Sequence, residues 1–189
     1  MANLIVDERD QQFILHEMLE VEKLCENEKY ADFSRDMFDM ILTEAQKLAV
    51  EEILPTLAEG DKQGCTLVDG KVSVPACYHR AFKLFREGGW IAMSFPPEEG
   101  GQGLPETIKT AAIDWFYHNF AFTAYPFATE GAAHLILTYG TEEQKRKYMD
   151  KMVQGLWGGT MALTEPNAGS DLGNMTTKAI RQPDGTFRI

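Results

Sequence analysis

The chain has 189 residues, 44% of them hydrophobic, enough for one sizeable domain or for one domain and part of another. Its formal charge of -11 argues against a nucleic-acid partner, which calls for a basic face, and leaves open only a local basic pocket for one phosphorylated ligand. The opening MANLIVDERDQQ has acids where a secretory signal needs positive charge, and no apolar run approaches the roughly 20 residues of a membrane span. The cysteines, Cys25, Cys65 and Cys77, are odd in number and lack ligand-like spacing, so a cytoplasmic chain with reduced thiols and no metal site is expected.

From Glu8 to Tyr30, Ile14, Met18, Val21 and Cys25 recur at helical spacing and predict a first helix. A second starts near Asp36 behind a Ser34 cap, with Phe38, Ile41, Leu42, Ala45, Leu48, Ala49 and Ile53 as its buried stripe; Pro55 should kink or end it. Residues 61–74 read as irregular, with Asp69-Gly70 set for a tight turn between two short extended pieces. Pro75 suits the entry to a helix through Lys83 and Arg86, which Gly88-Gly89 stops. The glycine-rich loop from Phe95 to Pro105 lacks the preceding strand and spacing of a dinucleotide fingerprint and reads as a connector.

A helix from Thr107 to Ala124, apolar on most sides, is expected to be central in a bundle and to be interrupted at Tyr125-Pro126. It resumes from Ala128 to Tyr139 with small residues (Gly131, Ala132, Ala133) that permit close helix approach or leave room for a ligand. Gly140 ends it, and Thr141-Glu-Glu-Gln144 is a capping box for a last helix reaching Gly155. The period then changes. Trp157 to Thr164 predicts a strand, residues 175–181 alternate, and Asp184-Gly185 signals a hairpin before Ile189. Two domains follow: an all-helical 1–156 with a small extended insert near 64–74, and a β-domain begun at 157–189. At most three strands are too few for an independent core, and a last strand without a cap suggests a truncated chain. The histidines (His16, His79, His118, His134) are scattered, none with an Asp or Ser at a spacing that suggests catalysis.

The stretch MALTEPNAGSD (Met161–Asp171) offers strand-end backbone groups and the Thr164 hydroxyl to the polar edge of a flat heteroaromatic ring. Gly169 permits close backbone approach, and Ser170 supplies a hydroxyl and N–H to a phosphate oxygen. On these grounds alone a strand leading into an Asx-type turn is the plainer reading. Residues 163–171 (LTEPNAGSD), however, resemble the acyl-CoA dehydrogenase signature. Pro97–Gly103 (PEEGGQG), Gly140–Lys145 (GTEEQK) and Thr177-Lys178-Ala179 followed by Asp184-Gly185 resemble further pieces of that family in order and spacing. The opening, with its extra helix and 64–74 insert, is similar to a longer-chain subfamily.

The resemblance implies a mainly α chain: an amino-terminal helical domain followed by the first strands of a β-barrel, with the carboxy-terminal helical bundle lying beyond it. It implies FAD as cofactor and α,β-dehydrogenation of an acyl-CoA substrate, a carboxylate removing the α-proton while the β-hydrogen leaves as hydride. Met161, Leu163, Thr164, Gly169 and Ser170 would bind the cofactor. Ser170, Ala124, Tyr125 and Ala128 would line the substrate site. Met161 stands where the family often has an aromatic residue, and Asn167 replaces a frequent glycine. No catalytic residue is expected in this chain, because the family's base belongs to the carboxy-terminal domain; Glu165 and Asp171 are signature residues and Glu98 and Glu99 sit in a loop. An electron-transfer flavoprotein or similar acceptor and a homo-oligomer are the implied partners. The competing reading is a free-standing helical interaction module without redox activity.

Overall fold

The first helical segment departs from its expected stripe within two turns. In the computed structural model, which describes residues 5–189 and divides into two units (1–159 and 160–189), α1 (Glu8–Gln12) is capped by Asp7. It runs directly into a π-helical segment, Phe13–Met18, and the chain then turns sharply at Glu20, whose φ of 48° is left-handed. Short 3-10 segments, Val21–Glu26 and Glu28–Tyr30, complete the stretch. A π turn closes on i+5 and rotates the register, so Leu15 and His16 face inward while Ile14 and Met18 are left 46% and 63% exposed. The helix expected over Glu8 to Tyr30 is therefore corrected to four short pieces. Two buried polar residues fasten them: Gln11 donates to the Ala111 carbonyl and accepts from the Trp115 indole, both at 3.0 Å, and His16 lies between Glu22 and Asp39.

Ser34 accepts from the Met37 N–H and opens α2 (Arg35–Leu48), as its sequence predicts. Phe38, Leu42, Ala45, Ala49 and Ile53 are buried. The run does not end at Pro55. It passes through a π segment (Ala49–Ile53) and a 3-10 turn (Leu54–Thr56) into α3 (Leu57–Gln63). The bonding pattern has already changed around Pro55, so its missing N–H interrupts no regular α ladder. β1 (Thr66–Val68) and β2 (Lys71–Ser73) form an exposed antiparallel hairpin, closed by Asp69 and Gly70 at φ of 49° and 73°.

α4 (Tyr78–Glu87) ends at Gly88-Gly89, and residues 90–95 then dive into the interior, with Ile91, Ala92, Met93 and Phe95 each 2% exposed. The loop after them hydrogen-bonds back onto this segment through the N–H groups of Gln102, Gly103 and Leu104. α5 (Glu106–Phe116) gives way to a 3-10 turn, Tyr117–Asn119, and α6 runs unbroken from Phe120 to Tyr139 with Pro126 inside it. The interruption expected at Tyr125-Pro126 thus falls six residues earlier, at Asn119. That fully buried amide accepts from the Phe122 N–H as an N-cap and donates to the Thr56 hydroxyl at 3.0 Å. A capped and tethered start outweighs one missing N–H within the helix.

Gly140 and the capping box of Thr141 and Gln144 lead into α7 (Glu142–Val153), as expected. Aromatic rings fill the main core: Phe85 meets Phe116 and Phe122 edge-on at 5.0 and 5.8 Å, and Trp90 meets Phe116 at 5.2 Å. A second cluster under α6 and α7 contains Phe95, Ala133, Met149 and Met152.

The carboxy-terminal unit is thin. The strand expected from Trp157 to Thr164 is not formed, since no described residue pairs with that segment and an extended chain becomes a strand only through a ladder to a neighbour. The 175–189 pattern yields only β3 (Ile180–Arg181) against β4 (Phe187–Arg188), with Gly185 at φ 86° in the turn. No described helix is long and apolar enough to cross a membrane, and no described cluster of His, Cys, Asp or Glu could hold a metal ion.

Candidate functional site

The signature segment folds around its own glutamate. Glu165 and Ala168 exchange backbone hydrogen bonds at 2.9 and 3.2 Å, a tight turn with Pro166 and Asn167 at its tip and the Ala168 side chain buried beneath. The Glu165 carboxylate reaches across to residues 176–177. There it accepts from the Thr177 N–H (3.0 Å), the Thr176 N–H (3.0 Å) and the Thr176 hydroxyl (2.8 Å). These donors, the Thr177 backbone foremost, hold its pKa down to about 2. A carboxylate so engaged is a poor proton acceptor near neutral pH. It works as a clamp between the turn and the segment that leads to β3.

With Glu165 occupied, other groups of the segment are left outward. Thr164 and Ser170 are exposed, and their hydroxyls have no partner among the described residues. Met161 and Leu163 are 75% and 43% exposed. A Cβ on Gly169 would meet only the Thr164 methyl, at an ordinary 3.5 Å, and its φ is not left-handed. The surrounding protein therefore imposes no need for glycine here, and the open backbone is available to a ligand. Two free hydroxyls, an uncovered backbone and an apolar run suit a planar ring with a phosphate arm, so the residues present fit a flavin nucleotide.

Ala124, Tyr125 and Ala128 belong to the helical unit, on successive turns of α6; the alanines are half-buried and Tyr125 is 48% exposed. Sequence reasoning missed what lies beside them. Residues 158–159 cross α6 so closely that a Cβ on Gly158 would stand 2.1 Å from the Tyr125 hydroxyl oxygen, and one on Gly159 would stand 2.5 Å from the Ala132 methyl. The Gly159 N–H donates to the buried Thr129 hydroxyl at 3.0 Å, the last fixed point of the helical unit before Thr160. The Gly158-Gly159 pair opposite the small residues of α6 was the available signal. For Glu165, the signal was the Thr176-Thr177 pair eleven residues on.

A family model described as the acyl-CoA dehydrogenase amino-terminal domain matches residues 36–156. The chain is 35% identical over 182 residues to 3-methylmercaptopropionyl-CoA dehydrogenase of Ruegeria pomeroyi, covering 96% of this chain and 31% of that protein. It is 33% identical over 189 residues to a broad-specificity linear acyl-CoA dehydrogenase of Mycobacterium tuberculosis, covering 96% and 30% respectively. The solved acyl-CoA dehydrogenase of Bacillus anthracis, complexed with FAD, superposes with a TM-score of 0.66 at 28% identity, over 82% of this chain and 25% of that one. The chain thus spans less than a third of the length of these relatives. It belongs to the acyl-CoA dehydrogenase family, of which it carries the mainly helical amino-terminal domain and a few short strands after it.

Proposed function

We propose that this chain is the amino-terminal part of an FAD-dependent acyl-CoA dehydrogenase, acting on a linear acyl-CoA thioester. The observation that carries the proposal is the signature turn itself: Glu165 is consumed by three internal hydrogen bonds, while Thr164 and Ser170 keep their hydroxyls free. Thr164 bonds the polar edge of the flavin, with Met161 and Leu163 packing beside the ring. Gly169 and Ser170 meet its pyrophosphate, and Ser170 also contacts the substrate's pantetheine arm. Ala124, Tyr125 and Ala128 line the acyl pocket. Bound FAD supplies the hydride acceptor; the residues of this chain hold and orient, and none of them takes the α-proton. The base belongs to a later part of the enzyme, so residues 1–189 alone have no turnover. An electron-transfer flavoprotein or similar carrier takes the electrons from a cytoplasmic homo-oligomer. The 157–189 segment is the beginning of the family's β-domain.

The test is FAD titration into the apo form of the longer enzyme. Thr164→Ala, losing a bond to a neutral partner, should weaken binding about two- to tenfold; Ser170→Ala, facing a phosphate, about ten- to a hundredfold. Both variants should still reduce the flavin with acyl-CoA when FAD is saturating. A Ser170→Ala enzyme that binds both ligands normally yet leaves the flavin oxidised would refute the holding role.

A further inference from the structure

The helical unit carries a recess that the flavin and thioester sites do not use. A cavity of about 550 Å³ opens between the ends of the β1–β2 hairpin, one face of α4 and the start of α6. That volume lies within the range of about 300–1,000 Å³ common for small-molecule sites. Val74, Phe82, Phe122 and Tyr125 form its apolar walls, Phe82 meeting Phe122 and Tyr125 edge-on at 6.4 and 5.8 Å. Along α4, His79, Lys83 and Arg86 line the same recess. Their i, i+4, i+7 spacing stacks three basic groups on one helix face, over about 10 Å at roughly 1.5 Å per residue.

These groups are not accounted for by ion pairs. Among the described residues His79 and Arg86 have no carboxylate within 4 Å, and Lys83 reaches Glu87 only at 3.8 Å. No acidic residue lines the cavity. In a chain of formal charge -11, an uncompensated basic row beside aromatic walls complements an anionic amphiphile.

We infer that this recess binds a linear fatty carboxylate, its alkyl chain against Phe82 and Phe122 and its head group against Lys83 and Arg86. Charge and apolar wall adjoin directly here, which matches a carboxylate attached to its own chain. In an acyl-CoA the uncharged pantetheine arm separates the chain from the first phosphate, so the thioester is a poorer match. The inference stands apart from the flavin reading. Tyr125 is the one residue shared with the proposed acyl pocket.

Calorimetric titration of the 189-residue chain with sodium dodecanoate, dodecanol, dodecyltrimethylammonium and dodecanoyl-CoA, all below micelle-forming concentrations, tests this. Cys65, an exposed thiol at the mouth, gives a second readout through its alkylation rate followed by peptide mass spectrometry. One dodecanoate per chain should bind at least tenfold more tightly than dodecanol, slow Cys65 alkylation severalfold, and have no cationic counterpart. Arg86→Ala should weaken dodecanoate about tenfold or more and leave dodecanol unchanged. The Arg86 stem packs against Gly155, so the exposed Lys83→Ala is the parallel variant free of packing loss. Equal affinity for the alcohol, unprotected Cys65, or unchanged affinity in both variants would overturn the inference. So would a tenfold preference for dodecanoyl-CoA, which would assign the recess to the thioester. None of these readouts involves FAD, so the two proposals fail separately.

Discussion

Replacing Thr129 by Val removes one hydroxyl from the place where the chain leaves the helical unit. Thr129 is 1% exposed; its oxygen accepts the Gly159 N–H at 3.0 Å and donates to the Tyr125 carbonyl at 2.9 Å. Valine keeps the shape and cannot accept, so the Gly159 N–H is left buried without a partner. An orphaned buried donor costs about 1–3 kcal/mol. For a chain of this size each kcal/mol shifts the melting temperature by about 2–4 °C, which gives a loss of about 2–12 °C. Thr138 is the internal control. It makes the same bond to the carbonyl four residues back, at 2.9 Å to His134, but on an exposed face with no N–H depending on it. Thr138→Val should stay within about 2 °C of the parent, and Thr129→Ser, which restores the oxygen, should recover most of the loss. Thermal unfolding followed by helical circular dichroism measures all three. If Thr129→Val melts with Thr138→Val, the anchoring of Gly159 through this hydroxyl is refuted.

Three further outcomes are expected. His118 donates from Nδ1 to the Trp115 carbonyl, its Nε2 is buried without a partner, and burial lowers its pKa. The unfolded chain therefore takes up the proton first, and stability falls as pH drops below about 6.5 toward the lowered folded value; His118→Gln should flatten that part of a melting-temperature profile, and an unchanged slope would contradict the assignment. Glu165, depressed to about 2, contributes stability that is present above the ordinary carboxylate range and lost as pH falls through about 2. Its carboxyl carbon resonance should titrate there, with exchange protection at the Thr176 and Thr177 amides vanishing in parallel, and an ordinary midpoint near 4.5 would remove the clamp. Gly101→Ala would put a methyl 2.1 Å from the Phe95 carbonyl oxygen, a backbone atom with nowhere to go; a loss of about 3 kcal/mol or more in urea unfolding is expected, and an unshifted midpoint would disprove the contact.

Features governed by neighbours in sequence were legible. The Ser34 cap, the Asp69-Gly70 turn, the Gly88-Gly89 stop and the Thr141–Gln144 box all depend on a few adjacent residues, and the structure forms each of them. What escaped depends on distant partners. Leu15 and His16 face inward because Gln11 finds Trp115 and Ala111 a hundred residues away in the chain. Asn119 outranks Pro126 as the break because Thr56 waits for its amide. Residues 90–95 have no period to detect, being buried nearly all round. For the candidate site, the motif marked which residues matter, but the contrast between a satisfied Glu165 and unsatisfied Thr164 and Ser170 appears only once residues 176–177 fold back.

The run from Arg35 to Gln63 behaves as a reading frame. Within it each residue advances the helix by about 100°, and the π turn at Ala49–Ile53 is one place where that phase has been offset. Deleting a single residue there could restore regular α bonding locally. It would also swing everything downstream by about 100°, carrying Thr56 off the Asn119 amide and Gly60 off the Tyr78 ring that packs against it. Substitutions along this stretch are judged one side chain at a time. A change in its length shifts the phase of every contact that follows, and relatives of this chain should accept the first far more readily than the second.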